Sequence, residues 1–572
     1  MKSKNNYSPP LEGGVRGGGL LDKDFSLRYP PTPTLPLKGG GRFIFILLLL
    51  FGIGGVISTY TRLSETDDEL FHVKCGMEWW GNGTYTVEPL HPPLARVAAA
   101  ALPYWLNVDD PARRDAARES WRDTYLYKQL LSRLGILPFY IFSCLLVFAW
   151  GRELFGNVAA LWSLALYVTL STVTANAGLA TTDMVYTTML LCALLTATHW
   201  LETPRLRQGI IFGVSLGLML GSKFSGLVQF PFAMLMIFVA QIVANYLQNK
   251  PLSPIGKAHL KTGFLYALPA MICTLAIIYR FSFAPLWDGL NMAQKLNRTG
   301  FALWLFGPLN NISVWYFFPV VFFFKTPLPL LIASIIGTLS PSLRAQRSNP
   351  DAASAAQEEP CRAHGAFTGL PRYARNDGVN DKELIQQIFP LLAAIGIMAA
   401  STTSQINLGV RHVLPLYPLL AIPGGYGLAW LWNKAQWGRL VAAAFLLWQL
   451  AGFIAAYPEH IAYFNELAGK HPERITLDSD FDWGQGMILL NDALEARNIE
   501  SVYLCARKDA VWSAHTLVYA NVLPCPKEPI TGWIAVGRAF RLFQPDNFAW
   551  LNSYEPVQNI GKTLDLYYIA PQ

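Results

Sequence analysis

Charge is what this sequence has least of. Only 15% of its 572 residues are Asp, Glu, Lys or Arg, while 52% are hydrophobic; a soluble globular protein carries roughly 25% charged residues. A wholly soluble enzyme is therefore excluded. The mean hydropathy is +0.28, and the apolar residues gather in blocks about as long as the ~20 residues that a bilayer-spanning helix needs. Cysteine is also scarce. The seven present have no CxxC or Cys/His spacing, so neither a zinc site nor a disulfide framework is indicated. Only Cys505 and Cys525, both in the C-terminal segment, are candidates to pair, and only if that segment lies in an oxidising space.

What is there reads as an all-α polytopic membrane protein with a small C-terminal α/β domain. Residues 1–42 hold two similar low-complexity pieces, PPLEGG and LPLKGGG, without apolar periodicity, and are expected to be disordered. The apolar stretch 43–60 is long enough to be a retained first span rather than a cleaved leader. Further spans are expected to begin near Leu134, Val158, Asp183, Gly209, Leu227, Gly263, Ile312, Leu384, His412 and Leu440, about eleven in all. With the N-terminus cytoplasmic, an odd number puts the C-terminal segment outside the cell's inner (plasma) membrane.

Lys and Arg agree with that orientation. They fall on every expected inner loop: Arg152, Arg205 and Arg207, Lys250 to Lys261, Arg344 to Lys382, Lys434 and Arg439. The span region 43–457 contains two long excursions. Residues 61–131 form an outer loop in which 92–106 reads as a helix lying at the membrane surface; residues 340–383 form an inserted inner loop of Ala, Ser, Arg and Asn that is expected to be disordered. From 458 to 572 the composition turns polar, with a helix expected at 484–497 and strands at 501–506, 533–537 and 564–569. The outer loop carries 8 basic and 11 acidic residues and the C-terminal segment 9 and 14. The +7 net charge of the chain is thus a basic inside and an acidic outside, and gives no sign of a nucleic-acid partner.

The residues able to do chemistry cluster at the outer boundary. Glu65, Asp67, Asp68 and Glu69 follow the first span, with His72 close behind; a carboxylate partly desolvated there is suited to take a proton or hold a metal, although an acidic helix end is the plainer reading. Glu88-Pro-Leu-His91-Pro92-Pro93-Leu94 joins an imidazole to a double proline that stiffens the entry to the surface helix. Between 134 and 457, outside the inserted loop, the only acids are Glu153, Asp183, Glu202 and Asp288, and Asp183 alone sits at the start of a span. A boundary acid is a functional candidate because burying it is costly, and Asp183 is equally suited to cap its helix. Lys223, Lys325, Arg411 and His412 supply cations where a phosphate-bearing lipid would need them, or serve as snorkelling anchors. Arg411 fits phosphate best, since a guanidinium grips two oxygens at once.

The order of these motifs, DDExxH, HPPL, TTD, SKxSG, KTPLP and RHxLPxYP, resembles the GT-C class of membrane glycosyltransferases, specifically the family 39 branch of protein O-mannosyltransferases and the similar lipid A aminoarabinose transferases. PEHIAYFNELAG and LDSDFDWGQG are similar to the C-terminal segment of bacterial members, with Asp480 and Gly486 where Asn and Asp are usual. The resemblance implies a GT-C-like bundle and inverting transfer of one sugar from a polyprenyl-phosphate donor to a hydroxyl of a protein, lipid or envelope glycan. It also implies a catalytic Asp68 with Glu69 beside it, and substrate contacts from His72, His91, Asp183, Lys223, Lys325, Arg411 and His412. It further allows a divalent metal ion near the first-loop acids, with no other cofactor. Asp478, Asp480 and Asp482 alternate like a calcium loop, but Trp483 and Leu489 stand where such a loop needs Gly and Glu. The competing reading is a transporter or lipid flippase, which would place its charges near the bilayer midplane and show internal repeats.

Overall fold

The computed structural model describes residues 39–108, 121–247, 255–301, 303–309, 313–340, 385–507, 517 and 519–571. Most of the low-complexity tail and nearly all of the inserted inner loop lie outside these residues. The remaining chain is a helical bundle followed by a five-stranded α/β unit.

In chain order the helices are α1 (Gly39–Ile57), α2 (Glu69–Asn82), α3 (Pro93–Trp105), α4 (Trp121–Leu134), α5 (Leu137–Phe155), α6 (Asn157–Val168), α7 (Ser171–Ala177), α8 (Asp183–Glu202) and α9 (Leu206–Leu220). They continue with α10 (Gly226–Leu247), α11 (Lys257–Ile278), α12 (Ala284–Thr299), α13 (Phe317–Lys325), α14 (Leu328–Leu339), α15 (Phe389–Ser401), α16 (Leu416–Trp432) and α17 (Gln436–Ala456). Each of the eleven expected spans is a helix or a bent helix pair. By length and composition, however, six helices among the described residues qualify as membrane-crossing, or eight when α6 with α7 and α13 with α14 each count as one. The count of eleven is not reached because α9, α15 and α16 have 15, 13 and 17 residues, short of the ~20 that a 30 Å core requires.

The two bent pairs have local causes. Leu170 is extended between α6 and α7, which turn by 68°. Thr326 and Pro327 are extended between α13 and α14, which turn by 105°; the residue before a proline is driven away from helical angles. Helix α16 is buried along most of its length and packs against α5, α6, α14, α15 and α17. That packing is close enough to require glycine: a Cβ added at Gly337 of α14 would collide with the carbonyl of Pro423. The lipid-facing sides of α1, α10 and α17 leave Phe43, Leu50, Leu235, Leu447 and Ile454 exposed.

The C-terminal unit contains α18 (Met487–Ala496), α19 (Arg538–Phe543) and strands ordered β4–β3–β5–β7–β6, where β3 is Ser501–Cys505, β4 Asn521–Leu523, β5 Gly532–Gly537, β6 Gln558–Ile560 and β7 Leu564–Ile569. A two-residue pair, β1 (Leu303–Trp304) with β2 (Pro308–Leu309), precedes α13. Strand β3 runs parallel to β4 and β5, while β7 is antiparallel to β5 and β6. Side chains alternate as strand geometry demands: Val502 and Leu504 pack toward α18, whereas Tyr503 and Cys505 face Phe548 and Leu551 on the other side. Cys505 and Cys525 form a disulfide, with Cα atoms 4.7 Å apart. The expected helix and three strands are present; β4 and β6, three residues each, are too short to have shown a period.

Candidate active site

The site forms where α2 begins, at the end of the bundle that carries the C-terminal unit. Asp68 is the N-cap of α2, yet its side chain bonds no helix amide. It turns instead to Arg411, whose NH1 donates to Asp68 Oδ2 at 2.7 Å. Burial pushes the Asp68 carboxyl up, but the guanidinium outweighs it and holds the group well below the usual carboxylate range. The side chain remains 36% exposed, so a substrate can reach it.

Its neighbour Glu69 lies in the opposite environment. It is 3% exposed and gripped by Arg133, with Nε to Oε1 and NH2 to Oε2 both at 2.9 Å. The amides of Ala180 and Thr66 donate to the same carboxylate at 2.8 Å each. Arg133 also donates to the carbonyls of Tyr60, Leu63 and Ser64. Buried charges persist where they are paired and fully hydrogen-bonded, and Glu69 has no oxygen turned to a substrate. It ties α2, α4 and the loop before α8, through the Ala180 amide, together.

Arg411 sits in the short turn Val410–Val413, held by three contacts. The Val410 amide donates to Asp480 Oδ1 at 2.8 Å, and the His412 carbonyl accepts from Gln229 Nε2 at 3.0 Å. The Trp483 ring supports the guanidinium from 4.2 Å. Gly409 precedes the turn at φ 114°, and a Cβ there would run into Ser479 and Asp480. NH1 of Arg411 lies 4.0 Å from Asp183 Oδ2, and Asp183 Oδ1 accepts from Lys223 Nζ at 2.6 Å. Asp68, Arg411, Asp183 and Lys223 thus form one alternating chain of charge.

The two imidazoles flank that chain. His72 and His91 are 5.1 Å apart, ring to ring. Arg96 donates to His72 Nδ1 at 2.9 Å, its NH2 lies 3.0 Å from His91 Nδ1, and it pairs with the Glu88 carboxylate. Burial lowers the proton affinity of both rings, and Arg96 lowers it further, so each is a neutral imidazole near pH 7.

The other expected residues stand apart. Lys325 is buried and donates to the carbonyls of Ile461 at 2.5 Å and Asp480 at 2.6 Å, joining α13 to the C-terminal segment. It shares with Arg411, Trp483, Asn176 and His460 the wall of a small internal cavity. The His412 ring is buried beside Phe318, 6.2 Å away.

Four residues escaped the sequence reading: Arg96, Arg133, Trp483 and Arg507. Arg96 and Arg133 are isolated cations in apolar surroundings, and that was the signal available. Trp483 was visible in DWGQG and as the residue that breaks a calcium loop, but not as a support for Arg411. Arg507 bonds both Asp67 and Asp478, and nothing in its local sequence marks it.

For a divalent ion the fit is poor. Asp67, Asp68 and Asp183 are each paired with a cation, and no group of three or more His, Cys, Asp or Glu among the described residues is placed to hold a metal. The three acids of the calcium-like phrase diverge: Asp478 meets Arg507, Asp480 the Val410 amide and Asp482 the Gly484 amide.

Over residues 132–279 the chain matches the family described as dolichyl-phosphate-mannose-protein mannosyltransferase, which bears out the resemblance read from the motifs. No curated protein matches it. Among solved structures it is similar to ArnT from Cupriavidus metallidurans bound to undecaprenyl phosphate, with 12% identity, 93% of this chain and 99% of that one covered, and a TM-score of 0.43. It is also similar to the archaeal oligosaccharyltransferase AglB from Archaeoglobus fulgidus in complex with an inhibitory peptide and a dolichol-phosphate, with 12% identity, 93% and 74% covered, and a TM-score of 0.45.

Proposed function

Taking the chain as a membrane glycosyltransferase of the GT-C class, we propose that it moves a single sugar from a polyprenyl-phosphate donor to an acceptor hydroxyl on the outer face of the inner (plasma) membrane, with inversion at the anomeric carbon. The observation that carries this reading is the pair Asp68–Arg411, an accessible carboxylate bound 2.7 Å from a guanidinium at the helix start. One partner suits the incoming hydroxyl and the other the departing phosphate. The acceptor is a protein, a lipid or an envelope glycan.

In the reaction the acceptor oxygen attacks the anomeric carbon and its proton passes to Asp68. The bond from that carbon to the phosphate oxygen breaks, and its electron pair leaves with polyprenyl phosphate. A positioned base contributes roughly 10²- to 10⁴-fold. Arg411, aided by Lys223 and the neutral His91, stabilises the charge gained by the phosphate. Arg411 cannot serve both partners fully. A donor phosphate that draws the guanidinium away relieves the field that holds Asp68 acidic, so the base strengthens once the donor is bound. Glu69 positions rather than reacts, because its oxygens are filled by Arg133 and two amides.

The test is transfer of radiolabelled sugar from polyprenyl-phosphate sugar by the purified chain in lipid nanodiscs, with mass spectrometry of envelope glycans from cells with and without the gene to identify the acceptor. Transfer by the wild type and its loss in Asp68→Asn at unchanged protein level is the expected result. Normal turnover in that variant, or lipid scrambling without any sugar transfer, would overturn the assignment.

A further inference from the structure

Two adjacent acids, Asp67 and Asp68, stand before α2, and the structure treats them differently. Asp68 faces Arg411. Asp67 is engaged by Arg507, which also holds Asp478. Arg507 lies two residues beyond the end of β3, and that end is tethered by the disulfide of Cys505 with Cys525. A second tie lies close by: the Ser64 amide donates to the Gln485 carbonyl at 3.1 Å, its hydroxyl donates to the Gly484 carbonyl at 2.8 Å, and the Met487 amide donates to that hydroxyl at 3.2 Å. The four residues just upstream of the proposed base are therefore fastened at both ends to the C-terminal unit.

We infer that Arg507 is a positioning residue: by clasping Asp67 to Asp478 it commits the first acid to the C-terminal unit and sets Asp68 in the geometry for transfer. This rests on the reading of Asp68 as the base. The C-terminal unit is then a working part of the catalytic site. Exposed ion pairs contribute little to stability, about 0–1 kcal/mol, and all three clasp side chains are about one-third exposed. Loss of the clasp should therefore be felt in catalysis, where a misplacement of ~1 Å costs about 10²-fold, and hardly in folding.

The experiment compares Arg507→Ala, Asp67→Asn and their double variant, in full-length protein, by kcat and donor KM, with hydrogen exchange of the amides of residues 64–72. Each single variant is expected to lower kcat by roughly ten- to a hundredfold, with donor KM within about twofold. The double variant should be no worse than either single one, since both break one interaction. Millimolar guanidinium should partly restore Arg507→Ala, and Arg507→Lys should retain intermediate activity. Exchange over residues 64–72 should quicken. Full activity in Arg507→Ala, multiplied losses in the double variant, or unchanged exchange would each overturn the inference. If the wild type transfers no sugar, the assignment of function fails, and the exchange data still decide whether the clasp orders the loop.

Discussion

At the foot of α2 two regions meet that differ by one residue in sequence and by almost everything in environment. Beneath it, Glu69 and Arg133 are sealed among helix ends, with every hydrogen bond made. Beside it, Asp68 and Arg411 form a single contact at an open edge, with Asp183 waiting 4.0 Å away. Both are acid–arginine pairs, and in the sequence the two acids stand side by side in one motif. The difference teaches that saturation separates a purely structural pair from one that keeps an oxygen free, as the proposed base requires. A carboxylate with all its oxygens satisfied has nothing to offer a substrate, whereas one held by a single contact keeps an oxygen for a new partner.

The sharpest way to break this comparison is to remove each carboxylate's charge and see what is lost. Asp68→Asn is expected to lower turnover by about 10²- to 10⁴-fold with thermal stability unchanged. Glu69→Gln leaves Arg133 as an unmatched buried charge and is expected to cost about 3–5 kcal/mol of stability, read as loss of folded, detergent-extractable protein. Replacing Glu69 and Arg133 together by apolar residues of similar volume should recover much of that loss. A catalytic defect without destabilisation in Glu69→Gln would erase the distinction.

The next effect concerns the cation. Arg411→Lys keeps the charge but not the two-oxygen grip, and is expected to lower kcat by roughly 10²- to 10³-fold. It also gives a pH signature. Because Arg411 depresses the Asp68 carboxyl, the proposed base is ionised throughout the usual carboxylate range and above it, and is lost only as pH falls well below it. The acid limb of kcat/KM should lie low in the wild type and move to higher pH in Arg411→Met, where burial acts unopposed.

The smallest effect lies in the C-terminal segment. Burial raises Glu459 from 4.5 to about 7, against the amide of Lys562 and the hydroxyl of Thr563. A carboxyl whose folded value is raised contributes stability below its unfolded value and loses it as pH rises through the folded one. Thermal stability is expected to decline between about pH 4.5 and 7, and Glu459→Gln should flatten that slope in a differential scanning measurement.

Much of the fold was legible in the sequence. The positions of the helices, including the helix 93–105, and the polar C-terminal unit with its helix and three longest strands all follow from local apolar patterns. The number of full spans was not, because α9, α15 and α16 are apolar yet short and are completed by packing rather than by length. Of the candidate site, the motifs led to Asp68, Asp183, Lys223 and Arg411, which do come together. They also led to Glu69 and Lys325, whose bonds turn out to be filled by Arg133 and by main-chain carbonyls. Arg507, 440 residues from Asp67, left no trace in any window of sequence.

The division has a physical reason. In a bilayer each spanning segment must satisfy its own backbone and present apolar side chains to lipid, so span positions, the scarcity of charge and the confinement of acids to the boundary are local properties that the residues alone determine. Which acid stays free to react depends on which cation reaches it, and those cations come from α4, the turn before α16 and the end of β3. Only the tertiary structure, by closing those distant elements around the start of α2, decided that Asp67 would be clasped, Glu69 sealed and Asp68 left within reach.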